Sequence, residues 1–120
     1  MDYTQARKYL LSKPEAIEDF PFGPDVMVFR IRSKMFATLA FGNDNQYYWM
    51  NLKCDPQEAL MLRDIFDAVI PGYHMNKQHW NTIILNGSIP NGEIERMIDN
   101  SFMLIVNKMS KKERAAILEH

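Results

Sequence analysis

The densest group of chemistry-bearing side chains is Gly72-Tyr73-His74-Met75-Asn76-Lys77-Gln78-His79-Trp80, where two imidazoles flank an ammonium and precede an indole. Imidazole changes charge near neutrality and binds metals, so His74 and His79 are the first candidates for a base or a ligand. Their spacing of five does not place both on one helical face as a zinc pair, and no Glu stands between them. Cys54 is the only cysteine, which excludes an internal disulfide and any Cys-rich metal cluster. Beside a helix start it could be a nucleophile of lowered pKa, but a lone Cys is more often a small buried hydrophobe, and that is the expectation here. Neither a Gly-x-Ser-x-Gly elbow nor a phosphate-cradling glycine loop is present. An enzyme using His74 or His79 as general base lacks a visible partner. Glu15, Glu18 and Asp19 read as acids of a solvated loop. The sequence therefore predicts no catalytic residues, no metal site and no cofactor.

A second constellation is basic and aromatic. Arg30, Arg32, Lys34 and Lys53 share a β-rich stretch with Phe36, Tyr47 and Trp49. Joined to the first group, this defines a candidate binding surface of His74, Asn76, Lys77, His79, Trp80, Arg30, Arg32, Lys34, Lys53 and Trp49. Basic residues would contact phosphates, and Trp80 or Trp49 would stack on bases, so DNA is one expected partner. The alternative is a small ligand or peptide held by His74, Lys77, His79 and Trp80. A third possibility is that the aromatic sheet face is covered by the C-terminal helix or a second subunit, leaving a monomer or a homodimer.

The elements that must position these residues follow from periodicity and turn chemistry. Tyr3 to Ser12 has helical spacing, and the loop Asp19-Phe20-Pro21-Phe22-Gly23-Pro24-Asp25 follows. Val26 to Arg32, Met35 to Phe41 and Gln46 to Lys53 read as an antiparallel meander, with Ser33-Lys34 as the first turn. Alternation puts Met27, Phe29, Ile31, Ala37, Leu39, Phe41, Tyr48, Met50 and Leu52 on a core face. The other face takes Val28, Arg30, Arg32, Phe36, Thr38, Tyr47, Trp49, Asn51 and Lys53. Asp55-Pro56-Gln57-Glu58 starts a helix reaching about Ala68, with Glu58 completing a capping box. Tyr73 to Met75 and Trp80 to Leu85 read as strands. Asn91 is the expected cap of a third helix, and Ser110-Lys111-Lys112-Glu113 opens a short fourth.

At 120 residues with 47% hydrophobic and 24% charged content, the chain suits one domain able to bury its own core. A net charge of −1 means that any nucleic-acid contact needs a local basic patch. No apolar run approaches a membrane span, and the N-terminus lacks the pattern of a signal peptide, so a cytoplasmic protein without membrane contact is expected. Residues 1–117 are assigned to the domain. Leu118-Glu119-His120 resembles the start of a vector-derived histidine tag, and His120 is set aside for that reason.

Gly72-Tyr73-His74-Met75-Asn76-Lys77 followed by His79-Trp80 and Leu85-Asn86-Gly87-Ser88-Ile89-Pro90 resembles the MmcQ/YjbR family. Phe20-Pro21-Phe22-Gly23, Lys53-Cys54-Asp55-Pro56 and Asp99-Asn100-Ser101-Phe102 fit the same pattern, so the likeness runs to about Lys112. The resemblance implies a CyaY-like α+β fold, a two-layer sandwich with helices packed on one face of an antiparallel sheet. Members are commonly labelled DNA-binding proteins, and the resemblance supplies no catalytic residues. CyaY-like folds also include iron-binding proteins of the frataxin type, whose first helix is densely acidic. Here that helix carries Arg7, Lys8 and Lys13, which disfavours iron delivery.

Overall fold

In the computed structural model, which describes residues 1–119, Asp2 caps the first helix, α1 (Tyr3–Leu11). Its carboxylate accepts the Gln5 N–H while the Gln5 side chain accepts the Asp2 N–H, both at 2.9 Å. This reciprocal box satisfies two donors that a helix start otherwise leaves open. Ala6 and Leu10, one turn apart, are both buried. Six strands follow the helix: β1 (Ala16–Asp19), β2 (Val26–Ile31), β3 (Lys34–Phe41), β4 (Tyr48–Lys53), β5 (Val69–Pro71) and β6 (Trp80–Ile84). They form one antiparallel sheet in the order β1-β2-β3-β4-β6-β5. Helices α2 (Pro56–Ile65), α3 (Asn91–Val106) and α4 (Lys111–Leu118) complete the chain. The expected two-layer α+β architecture, with helices on one face, is the one observed.

Several boundaries differ from the sequence reading. The stretch Ala16–Asp19 is an edge strand, pairing Ala16 with Ile31 through Asp19 with Val28. Its charges hid it: Glu18 binds Arg7 at 2.6 Å and Asp19 binds Arg30 at 3.3 Å, so its acids are used at the sheet margin. The first hairpin turns at Arg32-Ser33, one residue earlier than expected, because Ile31 pairs with Lys34 and Arg32 takes a left-handed φ of 57°. Such a φ matches the twist that a two-residue hairpin needs. Helix α2 stops at Ile65, where Phe66 turns extended, and the following β-branched pair Val69-Ile70 forms β5 against Ile83 and Thr82. The segment Tyr73 to Met75 is therefore loop. Asp55 caps α2 through the Gln57 and Glu58 N–H groups, but Glu58 turns to Arg96 at 2.7 Å instead of closing a box. Pro90, extended at ψ 140°, is the residue that enters α3, and Asn91 is already helical.

The core lies between the sheet and the helices. Phe29, Leu39, Met50 and Ile83 from the strands meet Ile94, Ile98 and Phe102 of α3, with Ile117 of α4 joining them. Phe36 belongs to this side, contrary to simple alternation. The β2–β3 register slips between Phe29, paired with Ala37, and Arg30, paired with Met35, leaving Phe36 as the extra residue of a β-bulge. A bulge re-aims the side chain it carries. Phe36 is fully buried, edge-on to Phe102 at a centroid distance of 5.9 Å. Next to it, Ser101 of α3 donates its hydroxyl to the Phe36 carbonyl at 2.6 Å and accepts the Lys53 N–H at 2.9 Å. One buried hydroxyl thus stands in for a rung of the β3–β4 ladder. Phe41, assigned by alternation to the core, is instead about half exposed near the end of its strand.

Candidate functional site

The sheet face away from the helices is not a basic-aromatic plane. Opposed residues Val28, Thr38, Asn51, Thr82 and Ile70 form one row across five strands, polar at its centre and apolar at its ends. Over this row lies a concave pocket of about 530 Å3. Thr38, Asn51 and Thr82 make its polar floor, and Phe22, Trp49, Tyr73, His74 and Met75 contribute walls and rim. Its volume falls in the range typical of small-molecule sites.

The floor also fixes one wall. The Thr82 hydroxyl accepts the Tyr73 N–H at 2.9 Å and donates to the Asn51 side-chain carbonyl. The Asn51 amide in turn donates to the Tyr73 carbonyl at 3.2 Å. Both backbone groups of Tyr73 are therefore anchored to side chains of the sheet. The Tyr73 ring meets Trp49 edge-to-face at 5.6 Å and lies 4.1 Å from the His74 ring. His74 adopts a left-handed φ of 60°, a conformation His enters more readily than most residues. Opposite, the Trp49 indole packs on the backbone of Gly42, where a Cβ would fall 2.3 Å from Nε1. Its N–H donates to Asp44 at 3.2 Å. The Gln46 and Tyr47 N–H groups also donate to this carboxylate, and these backbone bonds hold Asp44 below the usual carboxylate range.

Beyond Met75 the segment folds back on itself and on the sheet. Asn76 accepts the Gln78 and His79 N–H groups in a local turn, and the Lys77 ammonium donates to the Gly72 carbonyl at 3.0 Å. The His79 carbonyl accepts the Cys54 N–H at 2.8 Å. Trp80 is only 9% exposed, with its Cβ against Gly72, so its indole offers no open face for base stacking. Arg63 of α2 ties the segment down from outside, donating to Asn81 at 2.7 Å and to the Lys77 carbonyl. Of the ten candidates, His74 and Trp49 come together in the pocket. Asn76, Lys77, His79 and Trp80 shape the loop behind it.

The four basic candidates lie elsewhere and divide in two. Arg30 pairs with Asp19, and Arg32 binds Glu15 through two nitrogens at 3.0 and 3.3 Å. Lys34 and Lys53 have no ion-pair partner among the described residues and converge with Lys108 beyond α3. Burial first, and then the neighbouring Lys108 and Lys34, lower the Lys53 pKa. Cys54 is buried, and its thiol is pushed up to about 11 by that burial and by Glu58 and Asp55, the reverse of an activated nucleophile. Among the described residues no group of three His, Cys, Asp or Glu side chains could hold a metal, and no helix is long and apolar enough to cross a membrane.

Thr38, Thr82 and Tyr73 were absent from the sequence-derived set. A signal for the first two existed: Thr38 interrupts the apolar run Met35–Phe41, Thr82 follows Asn81 in an otherwise apolar strand, and the register aligns both with Asn51. Arg63 had no local signal, since its partners lie 14 to 18 residues away.

Comparison with known proteins agrees with this architecture. A sequence model of the YjbR family matches residues 11–104. The uncharacterized protein YbdF of Escherichia coli O157:H7 is 31% identical over 112 residues, covering 93% of this chain and 90% of YbdF. The uncharacterized protein YjbR of Escherichia coli K12 is 26% identical over 119 residues and 99% of each chain. The crystal structure of Deinococcus radiodurans protein DR2400, a DUF419 domain, superposes with a TM-score of 0.87 at 30% identity, covering 97% of this chain and 87% of that one. With the family match spanning most of its length and relatives aligned nearly end to end, the chain belongs to the YjbR family.

Proposed function

We propose that this protein is a small-molecule-binding module whose ligand sits on the open sheet face. The observation that carries this reading is the pocket of about 530 Å3, aromatic at its sides and hydroxyl- and amide-bearing at its floor. Its walls are positioned by hydrogen bonds from the sheet itself, so the cavity is preformed and binding spends little on ordering it. The test is a fragment screen by thermal shift, followed by backbone NMR of the hits. The expected hits perturb the Tyr73, His74 and Thr82 amides and lose their effect in Trp49→Ala. Hits that all map away from these residues would refute the reading.

DNA binding is the second reading, supported by the convergence of Lys34, Lys53 and Lys108 without carboxylate partners. Clustered ammonium groups attract phosphates and release counterions on contact. Arg30 and Arg32, committed to Asp19 and Glu15, add little to such a patch. Fluorescence anisotropy with labelled duplex and single strands across a salt series checks it. A negative salt slope that shrinks in Lys53→Gln and Lys108→Gln is expected, and no binding at low salt would retire it.

A further inference from the structure

We propose that the pocket takes an uncharged aromatic or heteroaromatic molecule that presents a hydrogen-bonding group to the Thr38–Asn51–Thr82 row. This builds on the ligand-binding reading above and assigns its ligand a chemical class.

The residues lining the pocket include no Asp, Glu, Lys or Arg. A carboxylate or phosphate entering this space would lose water without meeting a Lys or Arg, which costs far more than desolvating a neutral group. The nearby Asp44 carboxylate, bonded to the Trp49 N–H, adds repulsion toward anions. An isolated ammonium has no acidic lining residue to meet.

The pocket's shape and surface suit a flat ring. The Trp49 and Tyr73 rings stand at 89° to each other, so a flat ligand lying on one presents its edge to the other. Met35 and Met75 add thioethers, which pack favourably against aromatic rings and adapt to their outline. These contacts favour flat π-systems over saturated rings of equal volume.

The floor also keeps polar capacity free for a ligand. The Thr38 hydroxyl has no hydrogen-bond partner among the described residues, although the residue is only 7% exposed and lines the pocket. Asn51 uses one of its two amide hydrogens on the Tyr73 carbonyl, leaving the other for a ligand. A donor–acceptor group such as a primary amide, a lactam or a ring N–H beside a carbonyl matches this pair. The Trp49 N–H is not available, being taken by Asp44.

The experiment is an NMR titration of the full chain with benzamide, nicotinamide and indole-3-acetamide, beside the corresponding carboxylates and the saturated cyclohexyl amides. The neutral aromatic amides are expected to shift the Trp49 indole and Tyr73 and Thr82 amide signals, with half-saturation on the order of 1 mM for ligands this small. The carboxylates and saturated amides should bind about tenfold more weakly. Thr38→Val, which keeps the shape and removes the hydroxyl, should weaken the amides about 2- to 12-fold. Carboxylates or saturated amides binding at these signals as well as the aromatic amides would overturn the assigned class and leave the pocket reading standing. No shift at these signals with any probe, in a chain whose spectrum shows it folded, would overturn both.

Discussion

Replacing Ser101 by Ala tests the packing of helix against sheet with one atom. The Ser101 hydroxyl is fully buried and serves the Phe36 carbonyl at 2.6 Å and the Lys53 N–H at 2.9 Å. Its removal leaves an acceptor on β3 and a donor on β4 without a partner, just past the Ala37–Leu52 pair that ends the β3–β4 ladder. Each unsatisfied buried group costs roughly 1–3 kcal/mol, and partial relaxation puts the expected loss at about 2–4 kcal/mol. A chain of this length unfolds with an entropy of about 0.25 kcal/mol/K, so the midpoint should fall by about 8–16 °C. Urea denaturation at constant slope, with calorimetry beside it, measures both quantities. Ser110→Ala, which removes an exposed helix cap, is the reference and should cost about 1 kcal/mol. A loss below about 1 kcal/mol in Ser101→Ala would show that the strands close on their own and that the bridge is incidental.

Gly42→Ala places a Cβ within 2.3 Å of the Trp49 indole, so the ring must leave the pocket wall. Tryptophan fluorescence should shift and affinity for any pocket ligand should fall by about tenfold or more, whereas unchanged binding would dissociate Trp49 from the site. The Cys54 thiol, pushed up to about 11 by burial, should resist a disulfide reagent at pH 8 until urea opens the chain. Rapid stoichiometric labelling of the native protein would contradict this. Tyr9 is pushed up to about 12 by burial and by its bond to Asp99. Because the folded state holds this proton more tightly, its contribution is complete below pH 10 and is lost as pH rises toward 12. Tyr9→Phe should flatten the decline in stability across that window in a pH series of urea melts. Glu18, held below the usual carboxylate range by its bond to Arg7, has the opposite sign. Its modest stabilisation should be present above about pH 4.5 and vanish on further acidification, a trend that Glu18→Gln should remove.

The helices and the central meander were legible because they obey simple periods: Ala6 and Leu10 in α1, or Met27, Phe29 and Ile31 in β2, alternate as one buried face demands. Phe36 shows where that logic stops. An extra residue in a strand reverses the phase of everything before it, and nothing in Met35-Phe36-Ala37 announces the bulge. The same residue, misplaced, gave the open face a false aromatic. Arg30 and Arg32 looked free because their partners, Asp19 and Glu15, sat in a stretch read as loop. The segment 72–80 was singled out for its composition, and it does form one wall of the pocket. Its most suggestive members, His79 and Trp80, shape the loop through backbone and packing, while the floor comes from Thr38, Asn51 and Thr82, which only the strand register brings into one row.

The two outermost strands govern how the protein behaves when crowded. An open sheet edge is a template on which other chains can add, and proteins that must remain separate blunt it. Here one margin is four residues long and ends in Glu18-Asp19, while the other is three residues long and closes on Pro71, which has no N–H to offer. Backbone-mediated polymerisation has little to grow on at either side. Contacts between copies are thereby steered away from strand addition and toward side-chain surfaces.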